Sequence, residues 1–189
     1  KPTGLTAVTV ICLILGILGI VGGLLGVGMT IFQNVTGGFQ VSEINGQQVD
    51  MQAKMLELQQ IQFIPNLIVN GCNLIVGSLL VIGSIGALRM KESGRKLLQN
   101  ALLIAAVFVV LRMIVMIWMQ YRTMNAMTEM MSAAQGKGPV PLETIMQASI
   151  VVGMVVGIVW VAALAGFYLW SRSYLNKPSV VALFDASGH

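Results

Sequence analysis

The chain has 189 residues, of which 56% are hydrophobic and 10% charged, with a formal net charge of +4. Soluble domains carry about 25% charged residues, so this composition lacks the polar surface that a water-exposed domain needs. The positive balance is not a nucleic-acid patch either: no basic stretch is interleaved with aromatics, and no nucleic-acid partner is expected.

Charge is absent between Lys1 and Glu43, between Glu57 and Arg89 and between Glu143 and Arg172, and a further apolar run after Lys96 is broken only by Arg112. A helix crosses a bilayer with roughly 20 mostly apolar residues. The pattern predicts transmembrane helices over about 5–32, 62–88, 97–120 and 146–170. The first run is about twice as long as the 7–15 residues of a signal-peptide core and meets no A-x-A site, so it is read as a retained span. The expected fold is all-α, a polytopic membrane protein with four transmembrane helices in a bundle, as a single domain over residues 1–189.

The first span contains "LGILGIVGGLLGVG", six glycines between Leu15 and Gly28. At 100° per residue, Cys12, Gly16, Gly19, Gly23, Gly26 and Thr30 share an arc of about 80°. Glycine weakens a helix in water by roughly 1 kcal/mol relative to alanine. In lipid, however, leaving the helix exposes unpaired backbone groups at several kcal/mol each. The helix wins, and Gly19-xxx-Gly23 and Gly22-xxx-Gly26 make a smooth surface for another helix. No strand precedes the run, so neither a dinucleotide fingerprint nor a P-loop is read here.

Between the first two spans, Asn45-Gly46 in "TGGFQVSEINGQQV" is a β-hairpin signal, and Asn34-Val35-Thr36 matches a glycosylation sequon. From "VDMQAKMLELQQIQF" onward, Met51, Met55 and Leu58 share one face, so the second helix is expected to begin before the bilayer. The third is expected to run past it through "MQYRTMNAMTEMMSAA". Joined by a short turn, the two are expected to extend beyond the extracytoplasmic surface as an antiparallel hairpin with a methionine-rich seam. Met124, Met127, Met130 and Met131 place thioethers at spacings that suit Cu(I). Methionine is also an adaptable seam filler, and no His or Cys accompanies these four.

Arg112 is an ionisable residue inside a span, at about 2.5–3.5 kcal/mol on insertion scales, and marks a functional position by default. It lies 16 residues past Lys96, as Asn73 lies 16 before Arg89, so Arg112, Asn70 and Asn73 are expected at similar depth. A hydrogen bond from Arg112 to either asparagine, with the remaining charge offered to a partner's acid, a lipid phosphate or an anion, is one expectation; the other is snorkelling to the interface beside Trp118 and Tyr121. In the fourth span, Gly153-xxx-Gly157 and Ala162-xxx-Gly166 repeat the small-residue theme, which predicts packing of helix 4 on helix 1 or on a partner.

Orientation follows the distribution of Lys and Arg. Lys1, Arg89, Lys91, Arg95, Lys96, Arg172 and Lys177 fall on one side, and Lys54, Arg122 and Lys137 on the other. This predicts a plasma (inner) membrane protein with both termini, the 89–96 loop and the 171–189 tail in the cytoplasm. Segments 33–61 and 121–145 are then extracytoplasmic, and the tail is read as a short amphipathic segment at the surface. Both cysteines, Cys12 and Cys72, lie inside spans, so disulfide-braced outer loops are excluded. The layout is similar to that of tetraspanins, claudins and connexins, but their cysteine-braced loops and the tetraspanin Cys-Cys-Gly signature are missing, and no family follows from it.

The single histidine is His189, and no Ser-His-Asp set, paired carboxylates or metal-spaced cluster is present. No cofactor and no catalytic activity are expected. The function expected is a structural or accessory assembly subunit that binds lipids and either itself or a partner membrane protein. The alternative is an oligomeric pore in which Asn66, Asn70, Asn73, Ser84 and Arg112 line an anion-preferring path.

Overall fold

The structure is a computed structural model; it describes the backbone of residues 3–37, 46–134 and 142–186, and the side chains of 3–35, 60–125 and 151–184. The described residues form five α-helices and no strand: α1 (Thr3–Gly37), α2 (Gly46–Leu88), α3 (Glu92–Ala134), α4 (Leu142–Leu175) and α5 (Pro178–Ala186). Four helical stretches are long and apolar enough to cross a membrane: Thr3–Val35, Gln60–Leu88, Glu92–Asn125 and Val151–Leu175. The β-hairpin expected around Asn45-Gly46 is not formed on its second arm, because α2 already begins at Gly46. Gln47 and Gln48 are good helix formers and the pattern after them is helical, so adding them to the helix needs no new nucleus. Residues 38–45, the other arm, lie outside the described residues.

Each helix packs mainly on the one before it in the chain: α1 on α2, α2 on α3 and α3 on α4. The α1–α2 seam is antiparallel and follows a 3–4 spacing on both sides. Gly16, Gly19, Gly23 and Gly26 run along α1, and Asn70, Asn73, Gly77 and Leu80 along α2. This is the stripe that lets two helices lie nearly parallel with side chains interlocked.

The link from α2 to α3 is a tight reversal. Met90 takes a left-handed backbone, φ 59°. Its N–H donates to the Ala87 carbonyl at 3.0 Å, and the Lys91 N–H to Gly86 at 3.1 Å. These are the paired bonds of a Schellman motif, with methionine where glycine is usual. Glycines then let the two helices touch: a Cβ on Gly86 would stand 2.7 Å from the Gly94 Cα, and one on Gly83 2.9 Å from the Leu98 Cα. Beside the turn, Lys96 pairs with Glu92 at 2.6 Å on the surface.

The core gathers at this turn end. Leu80, Leu98, Leu102, Leu175 and Phe184 are fully buried. Beyond Ala106 on α3, and before Tyr168 on α4, no described side chain is buried. The tail contributes to this core instead of lying apart from it. The Lys177 carbonyl accepts from Val180 N–H at 2.9 Å and Val181 N–H at 3.0 Å, and Pro178 sits at the first helical position, where its missing N–H is not needed. Val180 and Phe184, four apart on one face of α5, are then buried against the chain itself.

Arg95 latches this arrangement. Its Nη1 donates to the Leu175 carbonyl at 3.3 Å and Gln99 Nε2 donates to the same oxygen at 3.0 Å. The guanidinium also stands 5.8 Å from the Phe184 ring. A cation at the carbonyl end of α4 is favourable against the helix dipole. Arg95→Met is expected to cost about 1–3 kcal/mol and to raise hydrogen exchange over residues 178–184 at least tenfold. Unchanged protection of α5 in that variant contradicts the latch.

Candidate functional site

Polar residues of the apolar helices fall at three seams, α1–α2, α2–α3 and α3–α4. In the first, Asn73 Nδ2 donates to the Gly19 carbonyl of α1 at 3.0 Å. The Asn70 side chain fills the space that a Cβ on Gly26 would need, and a Cβ on Gly23 would meet the Asn70 carbonyl at 3.0 Å. At Gly16 the backbone itself is the neighbour, with the Gly77 carbonyl 2.9 Å from the Cβ position. Both asparagines are thus turned to α1, where a glycine leaves room for an amide. Nearer that end of the helices, Gln62 Nε2 donates to Thr123 Oγ1 across α2 and α3 at 2.7 Å.

Arg112 belongs to the α3–α4 seam. It lines a groove of about 310 Å³ between α3 and α4, with Met113, Met116 and Gln120 on one wall and Gly153, Met154 and Gly157 on the other. The expected bond from Arg112 to Asn70 or Asn73 is therefore not made. Residue counting places the three at one height, but the asparagines share the α1-facing stripe of α2 and Arg112 faces α4. Among the described residues Arg112 makes no ion pair, Glu92–Lys96 being the only one. Arg122, ten residues on, stacks over the Trp118 ring at 4.8 Å.

The glycines of α4 also behave unlike those of α1. Nothing lies within 4 Å of a Cβ built on Gly153, Gly157 or Gly166. The expected packing of the helix 4 glycines on helix 1 is not found; α1 and α4 meet instead at the turn end, where a Cβ on Gly4 would come within 3.2 Å of the Tyr174 ring. The half of α4 away from the turn end stays open, with Val156 63% and Trp160 64% exposed.

The residues considered for a pore do not share one path within the chain. Asn70 and Asn73 face α1, Arg112 faces α4, and Ser84 is fully buried at the turn end, its Oγ without a partner. Of the four methionines considered for Cu(I), only Met124 has a described side chain; those of Met127, Met130 and Met131 lie outside the described residues. No group of three or more His, Cys, Asp or Glu lies together among the described residues. What the groove lining can do is hold an anion at Arg112 and apolar surface along soft methionine walls.

Sequence reading missed Gly77, Gly83, Gly86 and Gly94, and the Arg95 latch. The signal for the first was present: Gly77 extends the Asn70, Asn73 spacing by one step. "GSIGALRMKESG" likewise brackets a turn with glycines on both sides, as a close helix crossing requires. No protein-family model matches the chain, and neither a curated protein nor a solved structure matches it.

Proposed function

We propose that the chain is a multi-pass membrane protein whose four apolar helices form a bundle, and that it serves as a non-catalytic assembly subunit. The observation that carries this reading is the open outer half of α4: its glycines and its valine face are covered by nothing among the described residues, beside a groove holding an unpaired arginine. A helix surface stripped of side chains associates in lipid through close backbone approach, and α1 spends its own glycines in that way on α2. In this reading α2 and α3, 43 residues each and so roughly 64 Å long, continue past the outer surface as a hairpin.

The test is crosslinking in native membranes followed by purification in mild detergent, with ion flux measured on the purified protein in liposomes. A second membrane protein recovered at fixed ratio, with no flux, is the expected result. Ion flux from a ring-shaped assembly of this chain alone overturns the reading in favour of a pore.

Both termini and the 89–91 turn are assigned to the cytoplasmic side, on the strength of the seven Lys and Arg gathered there. Ser93 and Asn125 are exposed at opposite ends of α3. In intact cells an impermeant maleimide is expected to label Asn125→Cys and to spare Ser93→Cys. The reverse pattern inverts the orientation.

A further inference from the structure

We propose that the groove between α3 and α4 is the docking site for one transmembrane helix of another protein, whose carboxylate pairs with Arg112. This rests on the assembly-subunit reading and names the chemistry of the partner. Three observations fix that chemistry.

The first is charge. Arg112 is the one cation lining the groove, no acid lines it, and among the described residues no ion pair reaches Arg112. A second copy of the chain does not supply the acid. Its seven carboxylates are Glu43, Asp50, Glu57, Glu92, Glu129, Glu143 and Asp185. None falls between Ala101 and Asn125 or between Val151 and Leu175, and Glu92 stands roughly 30 Å from Arg112 along α3 and is paired with Lys96. The anion therefore comes from a different molecule.

The second is depth. The groove reaches from Gln120 to Val109 along α3, and Arg112 sits toward its inner end, roughly 12 Å below Gln120. A phospholipid keeps its phosphate at the level of the interfacial aromatics, here Trp118, Tyr121 and the stacked Arg122. A carboxylate carried on a helix can sit at the depth of Arg112 itself, whereas a headgroup phosphate meets it only where the arginine side chain reaches outward, the outcome that the lipid arm of the test detects.

The third is the opposite wall. Gly153 and Gly157 stand one turn apart with nothing within 4 Å of their Cβ positions, which lets a second backbone approach α4 closely. Methionines on both sides of the groove adapt to the shape of what enters. The partner helix is thus apolar, carries Asp or Glu at the level of Arg112 and presents small residues to α4.

The probe is a synthetic peptide of about 22 residues, a Leu/Ala span with a small-xxx-small pair and one Glu at the matching depth. Its twin carries Gln instead. Binding to the full-length protein in liposomes of mixed zwitterionic and anionic phospholipid is read by energy transfer. The Glu peptide is expected to bind at least tenfold more tightly than its twin, a comparison that leaves the protein unaltered. Arg112→Gln is expected to abolish that difference and Arg112→Lys to keep part of it. Gly157→Leu is expected to weaken both peptides at least tenfold.

Equal binding of the two peptides overturns the proposal. So does an anionic lipid retained by the native protein and lost in Arg112→Gln, since that makes lipid the occupant. If the peptides fail to discriminate while a partner still co-purifies at fixed ratio, this site is wrong and the assembly role stands. If no partner is found either, both fall.

Discussion

Replacing Gly77 with leucine is expected to separate α1 from α2 and to lower the unfolding free energy in bicelles by about 3 kcal/mol, the upper part of the usual overpacking range. A Cβ on Gly77 would stand 2.8 Å from the Gly16 carbonyl oxygen and 3.0 Å from the Ile20 nitrogen. Both are backbone atoms, so no rotamer change relieves the clash, and the helices must move apart. That movement also pulls Asn73 from the Gly19 carbonyl and leaves a polar amide in apolar surroundings. Gly71→Leu is the control, because a Cβ there has nothing within 4 Å. Denaturant unfolding of the two variants measures the difference. Equal stability means that the α1–α2 seam is not built on glycine contact.

A comparable loss is expected from Gly94→Val at the turn. A Cβ on Gly94 would overlap the backbone of Gly86 and stand 2.7 Å from the Ala87 nitrogen. The crossing of α2 and α3 has to open, which strains the left-handed Met90 and shifts Arg95, the next residue, away from the Leu175 carbonyl. The expected outcome is a stability loss of about 3 kcal/mol or more, together with deprotection of α5 in hydrogen exchange. Ser93→Val, one residue earlier and exposed, is expected to stay within about 0.5 kcal/mol of the parent. A stable Gly94→Val protein with a protected α5 refutes the coupling between turn and tail.

These two sites show which features single helices reveal and which they hide. The small-residue stripe of α1 is legible because 3.6-residue periodicity turns sequence spacing directly into a face. Which helix covers that face is not legible: α1 and α4 both carry glycine pairs, yet the α1 set meets α2 and the α4 set meets nothing among the described residues. Counting residues from the Lys and Arg anchors places Arg112, Asn70 and Asn73 at matching heights. Rotation about each axis then separates them, and rotation depends on which neighbours each helix has. Gly83, Gly86 and Gly94 bracket the turn in the sequence, but how closely the two helices pass there is set by their packing.

The tail illustrates a different limit. "KPSVVALF" contains a helix start at Pro178 and an apolar i, i+4 pair at Val180 and Phe184, so a short amphipathic helix can be read from it. That its apolar side completes the core depends on Arg95 and Gln99, some 80 residues earlier in the chain, converging on the Leu175 carbonyl. In the groove the situation is reversed. Arg112 stands out in the sequence through the cost of its charge, and Ala101 and Ala105, which share its stripe, are buried. One turn beyond them the stripe leaves the packed end and opens toward α4.

The account as a whole requires that the outer half of α4 lie in hydrocarbon with nothing of its own chain over it. Nitroxide labels at Val152, Val156 and Val159 in reconstituted liposomes test this most directly, by comparing collision with oxygen and with a water-soluble nickel chelate. High oxygen contact and low nickel contact at all three positions is the expected result. Dominant nickel contact would place α4 in water, and low contact with both would place another part of the chain over it; either result contradicts the account.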